Sequence, residues 1–259
     1  LNGVAIPANK EAFLWGRRAA VDQARVERIA TPAQPVQVQF PQSLDSLVKQ
    51  RVEHLTAWQD AAYAQRFESF VERVRAAESA LGMGDRLAQS VARSLSKLMA
   101  YKDEFEVARL YSNGDFERRL AEAFEGDVTL KFHLAPPLLS KRDDDGHLVK
   151  RTYGPWMKHA FRWLAKFKGL RGTALDPFGK TAERRMERAL IDEYTTSIGN
   201  ALARLTPETL PLVLELAALP ERVRGFGHVK EANIAKARAR WAEIEAALAA
   251  APATKRAAA

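Results

Sequence analysis

There is no cysteine among the 259 residues of this chain. Disulfides, thiolate-bound zinc and a cysteine-ligated iron–sulfur cluster are therefore excluded within it. No window approaches the run of about 18 apolar residues that a membrane-crossing helix needs. Histidine is scarce and scattered: His54, His133, His147, His159 and His228 show no i, i+4 pair and no HExxH zinc motif. There is no Gly-x-Ser-x-Gly nucleophile elbow, and Asp176-Pro-Phe-Gly-Lys180 lacks the spacing of a phosphate loop. No secretory signal pattern follows Leu1. The expectation is a piece of a longer polypeptide that works in a reducing, cytoplasmic setting, away from membranes.

What is present is an ordinary globular balance, with 47% hydrophobic and 28% charged residues. The net charge is +8 and the pI about 9.8. The excess is concentrated in residues 127–172, where ten Lys/Arg face four Asp, a local +6. No nucleic-acid motif accompanies it, so a solvated basic surface or an anionic partner domain is preferred over nucleic acid.

Periodicity is helical nearly throughout, and the fold expected is mainly α, with several helices and a small two-stranded β insertion. Lys10–Ala20 reads as a short amphipathic helix with Phe13 and Leu14 on its apolar side. Pro32, Pro35 and Pro41 around Val36–Phe40 mark residues 31–42 as an extended linker. A helical body follows over 43–250. It opens with a hairpin from Ser43 to Leu81, with Asp45 and Ser46 as candidate caps and a break near Trp58–Asp60, and Gly82–Gly84 then lead to a helix capped by Asp85. Ala88–Leu110 is helical with a bend at Ala100, and Asp115 starts a helix with Leu120 and Phe124 inward. Val128–His133 and His147–Tyr153 alternate as paired strands. Pro155 opens a helix with a buried stripe of Met157, Ala160, Phe161 and Leu164. Thr181–Leu205 is the strongest helix, with Met186, Leu190, Tyr194 and Ile198 inward, and Pro220 and Gly225–Gly227 separate the last two, Glu208–Leu219 and His228–Ala250. Residues 251–259 are a low-complexity tail, expected to be disordered.

Three clusters carry charge that could do chemistry. Arg224, His228 and Lys230 surround Gly225-Phe-Gly227 at a helix start, where backbone N–H groups and positive side chains could hold a phosphate or carboxylate. A plain turn between helices explains the same residues. Lys102-Asp-Glu104 with Glu106 and Arg109 reads as an exposed helix laced by a Lys102–Glu106 pair, not as a catalytic carboxylate pair. Lys158, Arg162 and Lys166 share one helix face with the Arg171 region, interleaved with Trp156, Phe161, Trp163, Phe167 and Lys168. Such a mixture can stack on single-stranded nucleic acid. Aromatic core residues alternating with a solvated face give the same spacing, and that reading is preferred.

The segments Lys97–Tyr111, Phe132–Leu139, Gly154–Met157, Leu170–Gly179, Ala182–Leu190 and Leu219–Glu231 resemble the fused indolepyruvate-type 2-oxoacid:ferredoxin oxidoreductases. More narrowly, they look like the helical C-terminal domain of those long chains. Residues 1–30, with Leu1-Asn-Gly-Val-Ala and Ala12-Phe-Leu-Trp-Gly-Arg17, resemble the end of the preceding gamma-like domain. The resemblance implies oxidative decarboxylation of a 2-oxoacid to its acyl-coenzyme A with reduction of ferredoxin. It implies thiamine diphosphate, magnesium and an iron–sulfur cluster for the full-length enzyme, the upstream catalytic domains as partners, and a homodimer. Gly84-Asp-Arg86 with Asn113 departs from the family's thiamine motif by lacking its second glycine. No catalytic or cofactor residue is carried onto this chain, which is expected to be inert alone.

Overall fold

A computed structural model of the chain describes residues 6–30, 42–124, 126, 128–134, 149, 151–223 and 227–251. It divides into two units, Leu1–Gln42 and Ser43–Ala259. The first holds α1 (Ile6–Val21) and α2 (Gln23–Ala30); α1 is longer than its amphipathic core predicts and buries none of its side chains. The expected Val36–Phe40 segment and the tail beyond Ala251 lie outside the described residues.

In the second unit, helix starts follow the capping chemistry of the sequence. Ser43 caps α3 (Leu44–Trp58) in place of the expected Asp45 or Ser46, which fall inside its first turn. Asp60 caps α4 (Ala61–Ser79), and Thr181 caps a later helix; each capping side chain accepts the N–H three residues on. α5 (Arg86–Met99) departs from the expectation. Asp85 makes no cap bond. Glu78, fully buried at the end of α4, accepts from Leu87 N–H at 2.8 Å and Ala88 N–H at 2.9 Å instead. Nine of the residues of α5 are buried, many of them Ala and Ser, so its neighbours approach closely and it forms the central rod of the unit.

The bend expected at Ala100 is a break, after which Asp103 caps α6 (Glu104–Leu110). α7 (Asp115–Ala123) follows, and it corrects the reading of its inner face. Leu120 is only half-buried and Phe124 is 60% exposed, because no layer among the described residues covers that side of the helix. β1 (Phe132–Leu134) and β2 (Arg151–Tyr153) pair antiparallel, Phe132 opposite Tyr153, as a shorter version of the expected insertion. α8 (Met157–Lys166), a 3-10 turn (Lys168–Leu170), α9 (Ala182–Leu202), α10 (Leu210–Arg222) and α11 (Gly227–Ala250) complete the chain. Pro220 lies inside the last turn of α10 and does not end it. The Lys97 ammonium donates to the carbonyls of Pro220, Glu221 and Val223, closing the helix end that proline disturbs.

The main core joins α3, α4, α5, α9, α10 and α11. Two buried polar bonds fix its layers: Tyr194 Oη donates to Ala217 O at 2.9 Å, and Trp241 Nε1 to Ser197 Oγ at 2.7 Å. The architecture is therefore mainly α with a small two-stranded antiparallel sheet. No helix among the described residues is long and apolar enough to cross a membrane.

Candidate docking face on helix α8

α8 rests on a small second core of its own. Tyr111 stacks on Phe161 at 5.3 Å between centroids, and Phe132 meets both rings edge-on. Met157 and Phe161 are buried here, with Ala160 and Leu164 packed beside them. The inward stripe is the expected one.

The other aromatic residues of this helix are not core residues, which corrects the reading that they alternate with a solvated face. Trp156, Trp163 and Phe167 are 59%, 65% and 48% exposed. The reason is geometric. α8 packs on α6 and β1 along one side, which has room for one apolar stripe. At about 100° per residue, Met157, Phe161 and Leu164 fill that stripe, while Trp156, Trp163 and Phe167 cluster within about 40° of one another, a quarter-turn away. Trp156 also leans edge-on against Tyr153 of β2, at 6.0 Å. Exposed aromatic clusters beside charge are the usual mark of an interaction surface.

Next around the helix comes the basic row. The Lys166 ammonium sits 5.0 Å from the centre of the Trp163 ring, a cation–π contact. Arg162 is exposed and makes no ion pair among the described residues. Lys158 differs: its Nζ lies 2.7 Å from Glu117 of α7, and that bond holds the Glu117 carboxyl below its usual range. Arg162 and Lys166 thus stay exposed on this face, with Lys158 already paired.

Lys168 and Arg171 are turned inward, so the expected continuation of this row to Arg171 is also corrected. Lys168 donates to Thr56 O at 3.0 Å and Ala57 O at 2.8 Å, capping the C-terminus of α3. Burial, then the nearby Arg171 charge, lower its pKa. Arg171 is 5% exposed. Its Nε and Nη2 reach the Asp103 carboxylate at 2.5 and 2.8 Å, its Nη1 donates to Trp58 O, and its guanidinium lies 3.7 Å from the Trp58 ring centre. Asp176, also buried, accepts from the N–H groups of Gly172, Phe178 and Gly179. A side chain at Gly179 would collide with that carboxylate. These bonds fix the path of the chain as it leaves α8.

This network replaces the expected exposed Lys102–Glu106 pair. α6 begins at Glu104, so Lys102 precedes the helix, and Glu106 turns inward. Arg109 grips Glu106 with two bonds of 2.8 Å, and His54 Nε2 lies 3.8 Å away. Burial alone would raise the Glu106 pKa, but the hydrogen bonds from Arg109 and His54 outweigh it and bring it to about 2. Glu104 shifts the other way: burial raises its pKa, against the opposing charge of Arg184 at 3.5 Å. Asp103, Glu104 and Glu106 each face a cation, and the Asp103–Arg171 pair ties α6 to the segment that follows α8. The signal in the sequence was present but distant, since Asp103 and Arg171 are 68 residues apart.

The remaining predicted site residues are not brought to this face by anything described. Arg224 and the side chains of His228 and Lys230 lie outside the described residues. The residues that echo a thiamine motif bond locally. The Asp85 carboxylate takes the Gln89 side chain at 3.0 Å, and Asn113 closes its own turn with Asp115. Among the described residues no group of three or more His, Cys, Asp or Glu could hold a metal ion.

No curated protein and no solved structure matches the chain. One family does, over residues 44–243, which span the body from α3 into α11. The chain therefore belongs to the family of unknown function DUF6537.

Proposed function

We propose that this chain is a non-catalytic docking domain, and that its setting is the one its sequence resembles. That setting is the C-terminal part of a thiamine-diphosphate-dependent 2-oxoacid:ferredoxin oxidoreductase. In this reading the upstream domains of a longer polypeptide bind thiamine diphosphate, magnesium and the iron–sulfur cluster. They decarboxylate the 2-oxoacid to its acyl-coenzyme A and pass the electrons to ferredoxin, with the homodimer as the working form. The single observation that supports a docking role is the exposed Trp156–Trp163–Phe167 face beside Arg162 and Lys166. Ferredoxins of such enzymes are acidic, so this face would steer and seat one: the cations raise the encounter rate and the rings supply contact area.

The test is kinetic, on the full polypeptide. Arg162→Glu with Lys166→Glu should raise the KM for ferredoxin by about tenfold at low salt, with the KM for the 2-oxoacid unchanged. Lys158 is left alone, because its reversal would break the Glu117 pair and confuse the result. An unchanged ferredoxin KM would sink this reading.

The same exposed rings beside cations also favour a second reading, in which the chain is a stand-alone basic module that stacks single-stranded nucleic acid or binds another protein. For nucleic acid, log affinity should fall linearly and steeply with log salt, and Trp163→Ala should remove binding. The native mass separates the settings: a polypeptide several times longer than 28.9 kDa supports the first.

A further inference from the structure

α4 and α9 both lie along α5 and meet each other over only a short stretch. Between them runs an open groove of about 810 Å³, continued by a smaller one of about 300 Å³ that reaches down to Leu95 and Met99 of α5. Phe70 and Leu202, both half-buried, line its floor. Three features distinguish it from an ordinary seam. Arg66 and Arg73 stand on its α4 rim, exposed, and neither makes an ion pair among the described residues. Each is held over a ring of its own helix instead, Arg66 at 5.8 Å from the Tyr63 centroid and Arg73 at 4.7 Å from that of Phe70. No acidic side chain lines either stretch among the described residues. Finally, the opposite wall is opened by Gly199 in the last turn of α9, where no side chain projects into the groove. Its missing Cβ would touch only Arg73 Nη2, at 3.4 Å, so no core contact requires glycine there.

We propose that this groove seats an acidic amphipathic helix from a partner protein. Arg66 and Arg73 are one heptad apart, about 10.5 Å along α4. A helix lying alongside repeats its side chains at the same interval, so two carboxylates one heptad apart meet both guanidiniums, and the apolar residues between them lie on Phe70 and Leu202. An open trough lined by two helices suits a helix better than a small anion, which an enclosed site holds better. This site shares no residue with the α8 face, and its failure would leave the reading of that face untouched.

The probe is a hydrocarbon-stapled peptide with two glutamates one heptad apart and leucines three and four residues after the first, titrated into the full chain by calorimetry and amide NMR. Micromolar binding is expected, with shifts at Thr195, Gly199 and Asn200. Arg66→Glu with Arg73→Glu should weaken it at least about tenfold, and so should Gly199→Leu, which fills the trough. Both arginines are exposed, so their reversal leaves the fold intact by circular dichroism. The proposal is overturned by no binding at millimolar peptide, by equal binding of a version with lysines for glutamates, or by shifts that fall on α8 instead.

Discussion

Arg171 has almost no contact with water, and everything it gives up is returned by Asp103, the Trp58 carbonyl and the Trp58 ring. Such a pair need not stabilise the fold relative to apolar residues, but breaking it leaves a buried charge with no partner. Arg171→Met should therefore destabilise by about 3–5 kcal/mol. Asp103→Asn should cost a similar amount, although asparagine can still cap α6. The double variant should cost less than the sum by more than about 1 kcal/mol, measured by urea denaturation; additivity within about 0.5 kcal/mol would refute the pairing. Glu106 gives a prediction in pH. Its folded pKa of about 2 lies below the usual 4.5 of a glutamate, so the charged form is the one the fold favours. Its contribution is fully present above pH about 4.5 and is lost as pH falls towards 2, with a limit of about 3 kcal/mol. Glu104, whose pKa is raised, acts with the opposite sign and offsets part of this loss. Glu106→Gln should lower stability at pH 6 and flatten its decline between pH 5 and 2; a parallel decline would show that other carboxyls carry the effect.

Helix α8 offers the clearest contrast between neighbouring positions, because Phe161 is 6% exposed and Trp163 is 65% exposed. Phe161→Ala opens a cavity in the Tyr111–Phe132 cluster and should cost about 3–5 kcal/mol. Trp163→Ala removes a larger side chain yet should change stability by no more than about 0.5 kcal/mol. Thermal melts of the two variants decide it, and equal losses would mean that Trp163 belongs to the core after all. Both stripes were legible on a helical wheel; which one met a partner was not, since that depends on α6 and β1 arriving from 50 and 25 residues upstream. Capping was legible only to within a turn where it was local: the sequence points to Asp45 or Ser46 for α3 and Ser43 does the work, while Asp60 and Thr181 cap the helices that follow them. It was illegible where a distant residue did the work, as Glu78 does for α5. The C-terminal ends follow the same rule. Lys168 closes α3, Lys97 closes α10, and Arg204 donates to Leu248, Ala249 and Ala251 at the end of α11. Each places positive charge at the negative end of a helix dipole, and none announces itself in its own sequence neighbourhood.

These caps change the meaning of the +8 charge for the whole molecule. Cations that sequence alone assigns to a basic surface, Lys168 and Arg171 among them, are internal fittings. Among the described residues of α8, Arg162 and Lys166 are the cations that stay exposed. The mainly helical class was readable from periodicity, whereas the buried charges were not, because polar residues on a helix wheel look the same whether they meet water or a distant counter-charge. The main core of the second unit is built from residues Leu44 to Leu248, and its cap at Ser43 is the first residue of that unit. A domain of this size buries enough apolar surface to fold alone. Residues 43–251 expressed by themselves should therefore unfold in one cooperative transition, within about 3 °C of the midpoint of the full chain. Differential scanning calorimetry provides the check. A shift of more than about 10 °C, or loss of cooperativity, would mean that Leu1–Gln42 supplies part of the core and that the fold does not begin at Ser43.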